Sequence, residues 1–530
     1  MKHLLFLSII TSISFSLFAQ GNPLWDDAKS KDWPELCKKI KITSSMDGKE
    51  QPAWFYKSSD NNARPLIISL HTWSGGYEQK DTLSWQCIEK DYNYIHPHFR
   101  GPNNTYEACG SQLVISDIDD AISYAIRNAN VDTNEIHIIG TSGGGYATLL
   151  AYMTTKYKIK TFSAWVPISN LIDWYYESEG RKNKYSRDIA LSTTGLKFEK
   201  EAYYINKKEA TKRSPIFMSI PFEKRKNSKL NIYAGVHDGY TGSVPITQSI
   251  DFYNKLISDF DSNEKEAIVP AVDIIKLVTY RGFPIEDKEQ IGDRLIHYRK
   301  NYQGKIQITI FEGTHEMLTD VALNPVQCKN ILVIGDSNGK LEKGWVNQLQ
   351  KLRFEDRIFN TSISGNTIGF NNLGYASLNT LRSIDSYLDD AGKNLVKPDA
   401  IVIMLGTNDC KAVFKDSLKL VPKNMRTLIS KIKKHPVYQK FKPILYIVSP
   451  PPYGPDTILK EKYHGGEKRI EYLNPKFKKI AKKENCIFVD TYSCLKENFE
   501  NLSSDGVHLT PEGQKLIASI INEIMNENYK

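Results

Sequence analysis

Two stretches of the 530-residue chain carry an apolar run straight into a serine set among small residues. One is EIHIIGTSGGG, which holds Ser142. The other is NILVIGDSNG, which holds Ser337. A short Ile/Val/Leu run of this kind suits a strand buried on both faces. Small neighbours let the chain turn sharply as it leaves the sheet, so the hydroxyl is presented at the strand's carboxyl end. Two such turns, far apart in the chain, point to two sheets. The length agrees, because single cores stop growing at about 250–300 residues.

The surrounding pattern supports two α/β units. PLIISLHTW and YNYIHPHF read as strands, VISDIDDAISYAIRNA has apolar residues at helical spacing, and a helix is expected from near Gly144. TFSAWVPIS, LNIYAGVHD and KIQITIFEG read as later strands. A polar, Tyr-rich stretch near 168–222 is expected to be an insertion over the sheet's edge. At Cys328 the pattern restarts, with strands in NILVIG, DRIFNTS, PDAIVIML, PILYIVS and CIFVD. The closing helix is TPEGQKLIASIINEIM, with Thr510 as N-cap and Pro511 at its first position. Strands alternating with helices predict two α/β/α layered domains, each with a mainly parallel sheet. The expected division is 1–19, 20–326 and 327–530. Leu323–Gln327 leaves almost no linker, so the domains are expected to pack together.

Lys2 and His3 precede an apolar run, Leu4 to Phe18, that ends at Ala19-Gln20. This reads as a secretory signal peptide cut after Ala19. The run is shorter than the ~20 residues of a spanning helix, and no later segment is apolar enough to span. The expectation is an exported protein, periplasmic or extracellular, without membrane insertion once the signal is removed. Export permits disulfides, and Cys87–Cys109 and Cys486–Cys494 are the sequence-local pairs among seven cysteines. No CxxC or Cys/His spacing suggests zinc.

The formal net charge of +9 is uneven. From Cys328 onward there are 31 Lys+Arg against 22 Asp+Glu, so the whole excess lies in the second unit. Much of it falls in Lys423–Lys442 and Lys476–Lys483. Such runs form solvated helix faces or attract an acidic surface or glycan. No nucleic-acid recognition motif accompanies them.

Gly140-Thr141-Ser142-Gly143-Gly144 fits G-x-S-x-G, a strand-to-helix turn that exposes a nucleophile. A serine hydroxyl needs a base, and the base needs an orienting carboxylate. Asp238 ends LNIYAGVHD and His315 follows KIQITIFEG. In this order, Ser142, Asp238 and His315, the chain resembles the α/β-hydrolase superfamily over about Leu66 to Leu318. Secreted esterases and prolyl-oligopeptidase-like members are the nearest kinds. The resemblance implies an oxyanion hole from the Gly143 and Trp73 N–H groups, the latter in HTWSGG. Thr72 departs from the glycine of many relatives. Arg100, in HFRGPN, either reaches a substrate carboxylate or anchors its loop.

The second unit carries four short blocks in order: Gly335-Asp336-Ser337-Asn338, Asn360–Thr367, Gly406–Asp409 and Asp505–His508. Together they resemble the SGNH (GDSL-type) hydrolases. The resemblance implies Ser337 as nucleophile, His508 as base and Asp505 as its acid. Gly365, Asn408 and the Ser337 N–H would serve as oxyanion donors. Asn338 departs from the family's leucine.

Two hydrolase types fused in one exported chain resemble tandem carbohydrate esterases. That implies a bifunctional serine esterase that removes acetyl or related acyl groups from a plant-type polysaccharide or oligosaccharide. No metal or organic cofactor is required and no nucleic-acid partner is expected. One alternative is a peptidase of the prolyl-oligopeptidase kind in the first domain, although no β-propeller-length segment precedes Leu66. Another is that one domain is a carbohydrate-binding platform. Polar, Tyr-rich loops argue against a lipase.

Overall fold

The computed structural model describes residues 32–199, 202–260, 266–282, 289–353, 356–395 and 397–528. The apolar run assigned to a signal peptide lies outside them.

The first sheet is built from β1 (Lys38–Thr43), β2 (Glu50–Tyr56), β3 (Arg64–Leu70), β4 (Asn93–Pro97), β5 (Val131–Thr141), β6 (Thr161–Trp165), β7 (Lys229–Gly235), β8 (Gln290–Ile291), β9 (Arg294–Tyr302) and β10 (Ile306–Phe311). Their spatial order is β1-β2-β4-β3-β5-β6-β7-β10-β9-β8. From β4 through β10 every pairing is parallel, while the pairs at both edges are antiparallel. The runs Leu66–Leu70 and Ile136–Thr141 are buried throughout, because helices cover both faces, as the lack of alternation predicts. Residues 168–222 contain helices Leu171–Gly180, Tyr185–Thr194 and Lys207–Arg213. Trp174, Ile189 and Ala210 of these helices pack with Trp73 and Tyr146 beside the site. The insertion is thus helical, with an apolar inner face that its polar composition concealed.

The second sheet is all parallel: β11 (Asn330–Gly335), β12 (Arg357–Asn360), β13 (Ala400–Met404), β14 (Ile444–Val448) and β15 (Ile487–Val489). Its order is β12-β11-β13-β14-β15. Switching direction at β11 opens a crevice at the carboxyl ends, where ligands bind in such sheets. Helix Pro511–Asn528 begins as expected, with Thr510 Oγ1 accepting the Gly513 N–H at 3.4 Å.

The units meet at the amino ends of both sheets. A cleft of about 770 Å³ between them is lined by Arg64, Glu135 and Lys160 on one side and Lys329, Arg353 and Asp399 on the other. Lys160 Nζ donates to the Cys328 carbonyl at 3.3 Å and to both Glu135 oxygens. Lys397 Nζ sits 3.8 Å from Asp132 and 3.7 Å from Glu135. Both carboxyl ends therefore face away from the junction. At ~3.3 Å per strand residue, six buried strand residues hold each serine roughly 20 Å from the junction.

Neither expected disulfide forms, and all seven cysteines are free. Cys87 packs with Ile67, Leu83 and Tyr94, whereas Cys109 lies in the separate cluster around Trp73 and Trp174. Cys486 leans on the C-terminal core, while Cys494 is exposed. Proximity along the chain did not bring either pair together.

Candidate active sites

Ser142 sits between β5 and helix Gly143–Thr154 with φ 56° and ψ −116°, a strained conformation for a residue with a side chain. The Ser142 N–H donates to the Trp165 carbonyl at 2.9 Å, which ties the turn to β6. A Cβ on Gly144 would overlap the Leu70 carbonyl oxygen, so only glycine lets this helix start so close to β3. A Cβ on Gly143 would likewise strike the Trp73 backbone nitrogen.

Around this turn the long-range partners converge. The Ser142 hydroxyl donates to His315 Nε2 at 2.8 Å, and His315 Nδ1 donates to Asp238 Oδ2 at 2.7 Å. Asp238 Oδ1 accepts the N–H groups of Gly239 and Val244 at 2.9 and 3.0 Å. The carboxylate is thus held from both sides, and the His315 side chain is only 12% exposed. Gly143 lies against the Trp73 backbone, so two N–H groups approach one spot. The Trp73 peptide is fixed through its carbonyl, which accepts the Asn103 N–H at 2.9 Å. Its indole donates to Asp188 of the insertion at 3.1 Å. Asn103 and Asp188 were not predicted; no local pattern marks either one.

Arg100 takes the structural alternative. It is buried against Asp117 (2.6 Å) and Asp47 (2.8 Å), and it also donates to Ser44. It anchors its own loop and has no guanidinium edge left for a substrate.

In the second unit the Ser337 hydroxyl donates to His508 Nε2 at 3.0 Å, and His508 Nδ1 donates to Asp505 Oδ2 at 2.7 Å. Asp505 Oδ1 also accepts the Val507 and His508 N–H groups at 2.9 and 2.7 Å. Burial works against the Asp505 carboxylate, but the imidazole and these two amides outweigh it and hold its pKa below the ordinary aspartate value. The four blocks are stitched together at the crevice. Asn408 Nδ2 donates to the Asn366 carbonyl at 3.1 Å, and Asn366 Nδ2 to the Gly335 carbonyl at 3.2 Å. Gly365 and Asn408 are thereby brought beside the turn that holds Ser337. This site is more open than the first, with His508 38% exposed.

Residues 54–256 match the BD-FAE family model, and residues 333–516 match the model of the GDSL-like lipase/acylhydrolase family. The chain is a two-domain esterase. Its N-terminal domain is of the α/β-hydrolase type and its C-terminal domain of the GDSL (SGNH) type. A search of curated proteins finds no match. Among solved structures, a carbohydrate acetylesterase family member from Sinorhizobium meliloti is 23% identical, with a TM-score of 0.32, over 38% of this chain and 98% of that one. The M. smegmatis aryl esterase is 22% identical, with a TM-score of 0.32, over 38% and 99%. Pyrococcus horikoshii acylaminoacyl peptidase is 23% identical, with a TM-score of 0.33, over 42% of this chain and 35% of its own.

One further residue in the esterase's second site lay inside a predicted block without being singled out. Asp409 is fully buried, and both its oxygens accept the Ile368 N–H, at 3.1 and 3.0 Å. With Asn408 it pins the segment that carries Gly365. Burial raises its pKa to about 7, against the opposing backbone N–H bonds, and the nearby Asp336 carboxylate adds to the rise. A carboxyl whose folded pKa lies above its unfolded value binds protons more tightly in the native state. Its ionisation therefore lowers stability as pH climbs from about 4 to about 7. The C-terminal domain is expected to gain stability on acidification from pH 7 towards pH 5, by at most about 1.4 kcal/mol per pH unit from this group. Denaturant titrations of wild type and Asp409→Asn across that range check this: the variant should show a shallower slope.

Proposed function

We propose that the chain is an exported bifunctional serine esterase that removes acetyl or related acyl groups from an acylated polysaccharide, with one independent site in each domain. The observation that carries the reading is a complete hydroxyl–imidazole–carboxylate chain at the carboxyl edge of each sheet, with every link between 2.7 and 3.0 Å. At each site the serine oxygen attacks the ester carbonyl while the imidazole Nε2 takes its proton. The carboxylate on Nδ1 holds the ring's tautomer and stabilises the imidazolium. Negative charge developing on the carbonyl oxygen falls to the Gly143 and Trp73 N–H groups in the first site. In the second it falls to the Ser337 and Gly365 N–H groups and the Asn408 amide. The imidazolium then protonates the departing alcohol. Water, deprotonated by the same imidazole, releases the acid from the acyl-enzyme.

A polymeric substrate suits the openness of the second site, where an ester borne on a bulky chain meets little obstruction. Near the first site Tyr240, two residues beyond Asp238, is 72% exposed and has Arg281 over its ring at 5.0 Å. Such an aromatic platform suits a sugar ring or an aromatic acyl group.

Docking through the amino ends leaves the sites too far apart to share one ester-bearing residue. On a short acylated oligosaccharide the intact chain is therefore expected to match an equimolar mixture of Ser142→Ala and Ser337→Ala chains, compared per active site. A time course of doubly deacylated product measures this. A markedly faster intact chain would show hand-over between the sites and defeat their independence.

A further inference from the structure

Position 338 departs from the leucine of the GDSL pattern, and the asparagine there makes three side-chain hydrogen bonds. Its side chain is completely buried. Nδ2 donates to the Val507 carbonyl at 3.3 Å, while Oδ1 accepts the Leu509 N–H at 3.1 Å and Gln514 Nε2 at 2.9 Å. The Val507 carbonyl and the Leu509 N–H belong to the two peptide groups that flank His508. A single side-chain amide, on the residue next to Ser337, therefore ties down both peptides of the candidate base. Gln514 is itself fixed, because its Oε1 accepts the Trp345 N–H at 2.9 Å.

We propose that Asn338 is a positioning residue that sets the His508 imidazole against Ser337. This rests on the reading of the second site given above and adds a part to it. The first site shows why such a part is useful. There His315 is 12% exposed, so surrounding groups limit where the ring can go. His508 is 38% exposed, and packing constrains it far less. Beyond the Asp505 carboxylate on Nδ1, its placement depends on the backbone that carries it. Most restraints on that backbone are internal to the loop. Asp505 binds the Val507 and His508 amides, and Ser503 Oγ donates to the His508 carbonyl at 2.8 Å. These shape the loop but do not register it against the nucleophile. Asn338 supplies that register, because it belongs to the turn that carries Ser337. A leucine of similar size neither donates nor accepts, so it would leave the Val507 carbonyl and the Leu509 N–H without their partner.

The test uses the full chain and a soluble ester whose turnover Ser337→Ala abolishes. Asn338→Leu is expected to lower kcat 10- to 100-fold, on the order that a 1 Å misplacement costs, with KM little changed. Ser142-dependent turnover in the same preparation should stay at its wild-type value, and circular dichroism should report a folded second domain. Asn338→Asp supplies a second readout. It keeps both acceptor contacts, loses the donor to Val507 and adds a negative charge beside His508. A nearby anion favours imidazolium, so the acid limb of the kcat–pH profile should move to higher pH, with kcat reduced. Full kcat and an unchanged profile in a folded Asn338→Leu protein would overturn the proposal. Should that variant not fold, wild-type kcat and an unmoved acid limb in Asn338→Asp overturn it equally. If Ser337→Ala leaves the turnover of every ester intact, the functional reading fails instead, and that outcome is distinct.

Discussion

Ser142→Ala is expected to remove turnover of the esters handled by the N-terminal domain, by a factor on the order of 10⁴ to 10⁶, and to leave the Ser337-dependent esters untouched. Ser337→Ala should do the converse. The size follows from the chemistry. Without Oγ no acyl-enzyme forms, and His315 or His508 is left to activate water at a distance set for a serine. Residual rate then comes only from substrate binding and the oxyanion donors. The independence follows from the fold. Each hydrogen-bond chain closes within one domain, from Ser142 through His315 to Asp238 and from Ser337 through His508 to Asp505. No residue of either set belongs to the other sheet. Assays of both variants on acetylated xylan, pectin and p-nitrophenyl acetate read the result. Losses of only two- or threefold in the Ser142→Ala/Ser337→Ala double variant would mean that neither serine is the nucleophile.

The second large effect is expected from Gly144→Ala. The added methyl would occupy the place of the Leu70 carbonyl oxygen, in backbone at the centre of the larger sheet. Neither neighbour is a flexible side chain that can swing away, so the helix start or β3 must move. Overpacking at a rigid point costs about 3 kcal/mol or more. Moving the helix also displaces the Gly143 N–H from the Trp73 N–H. The expected outcome is a lower thermal midpoint for the N-terminal domain together with loss of Ser142-dependent turnover, while the Ser337 site keeps its rate. Gly180→Ala is the control, because a Cβ at that position meets nothing within 4 Å. Calorimetry and the two ester assays on the same preparations separate these outcomes.

The C-terminal blocks were the most legible part of the chain, since each is a short segment whose residue types are required where it stands. Asp505 and His508 are three residues apart, and one turn brings both to the same place. Asp238 and His315 were harder to find. They are 77 positions apart, and only their places after β7 and β10 link them. The antiparallel edges, β1–β2 and β8–β9, were not anticipated. Edge strands lack the unbroken apolar run that flags a strand buried on both faces, as the mixed exposure of β1 and β9 illustrates.

Residue pattern alone placed two serines at strand-to-helix turns, gave each an acid and a base later in the chain, and put them on two mainly parallel sheets. Those features are local, because apolar runs and small-residue turns constrain the backbone wherever they occur. Contacts between distant segments set the rest. They turned Arg100 into an anchor for Asp47 and Asp117, left all seven cysteines unpaired, and set Asn338 against both peptides of His508. They also joined the sheets by their amino ends, so that both sites lie away from the junction. Each of these depends on which distant segments meet in space, and no run of neighbouring residues encodes that.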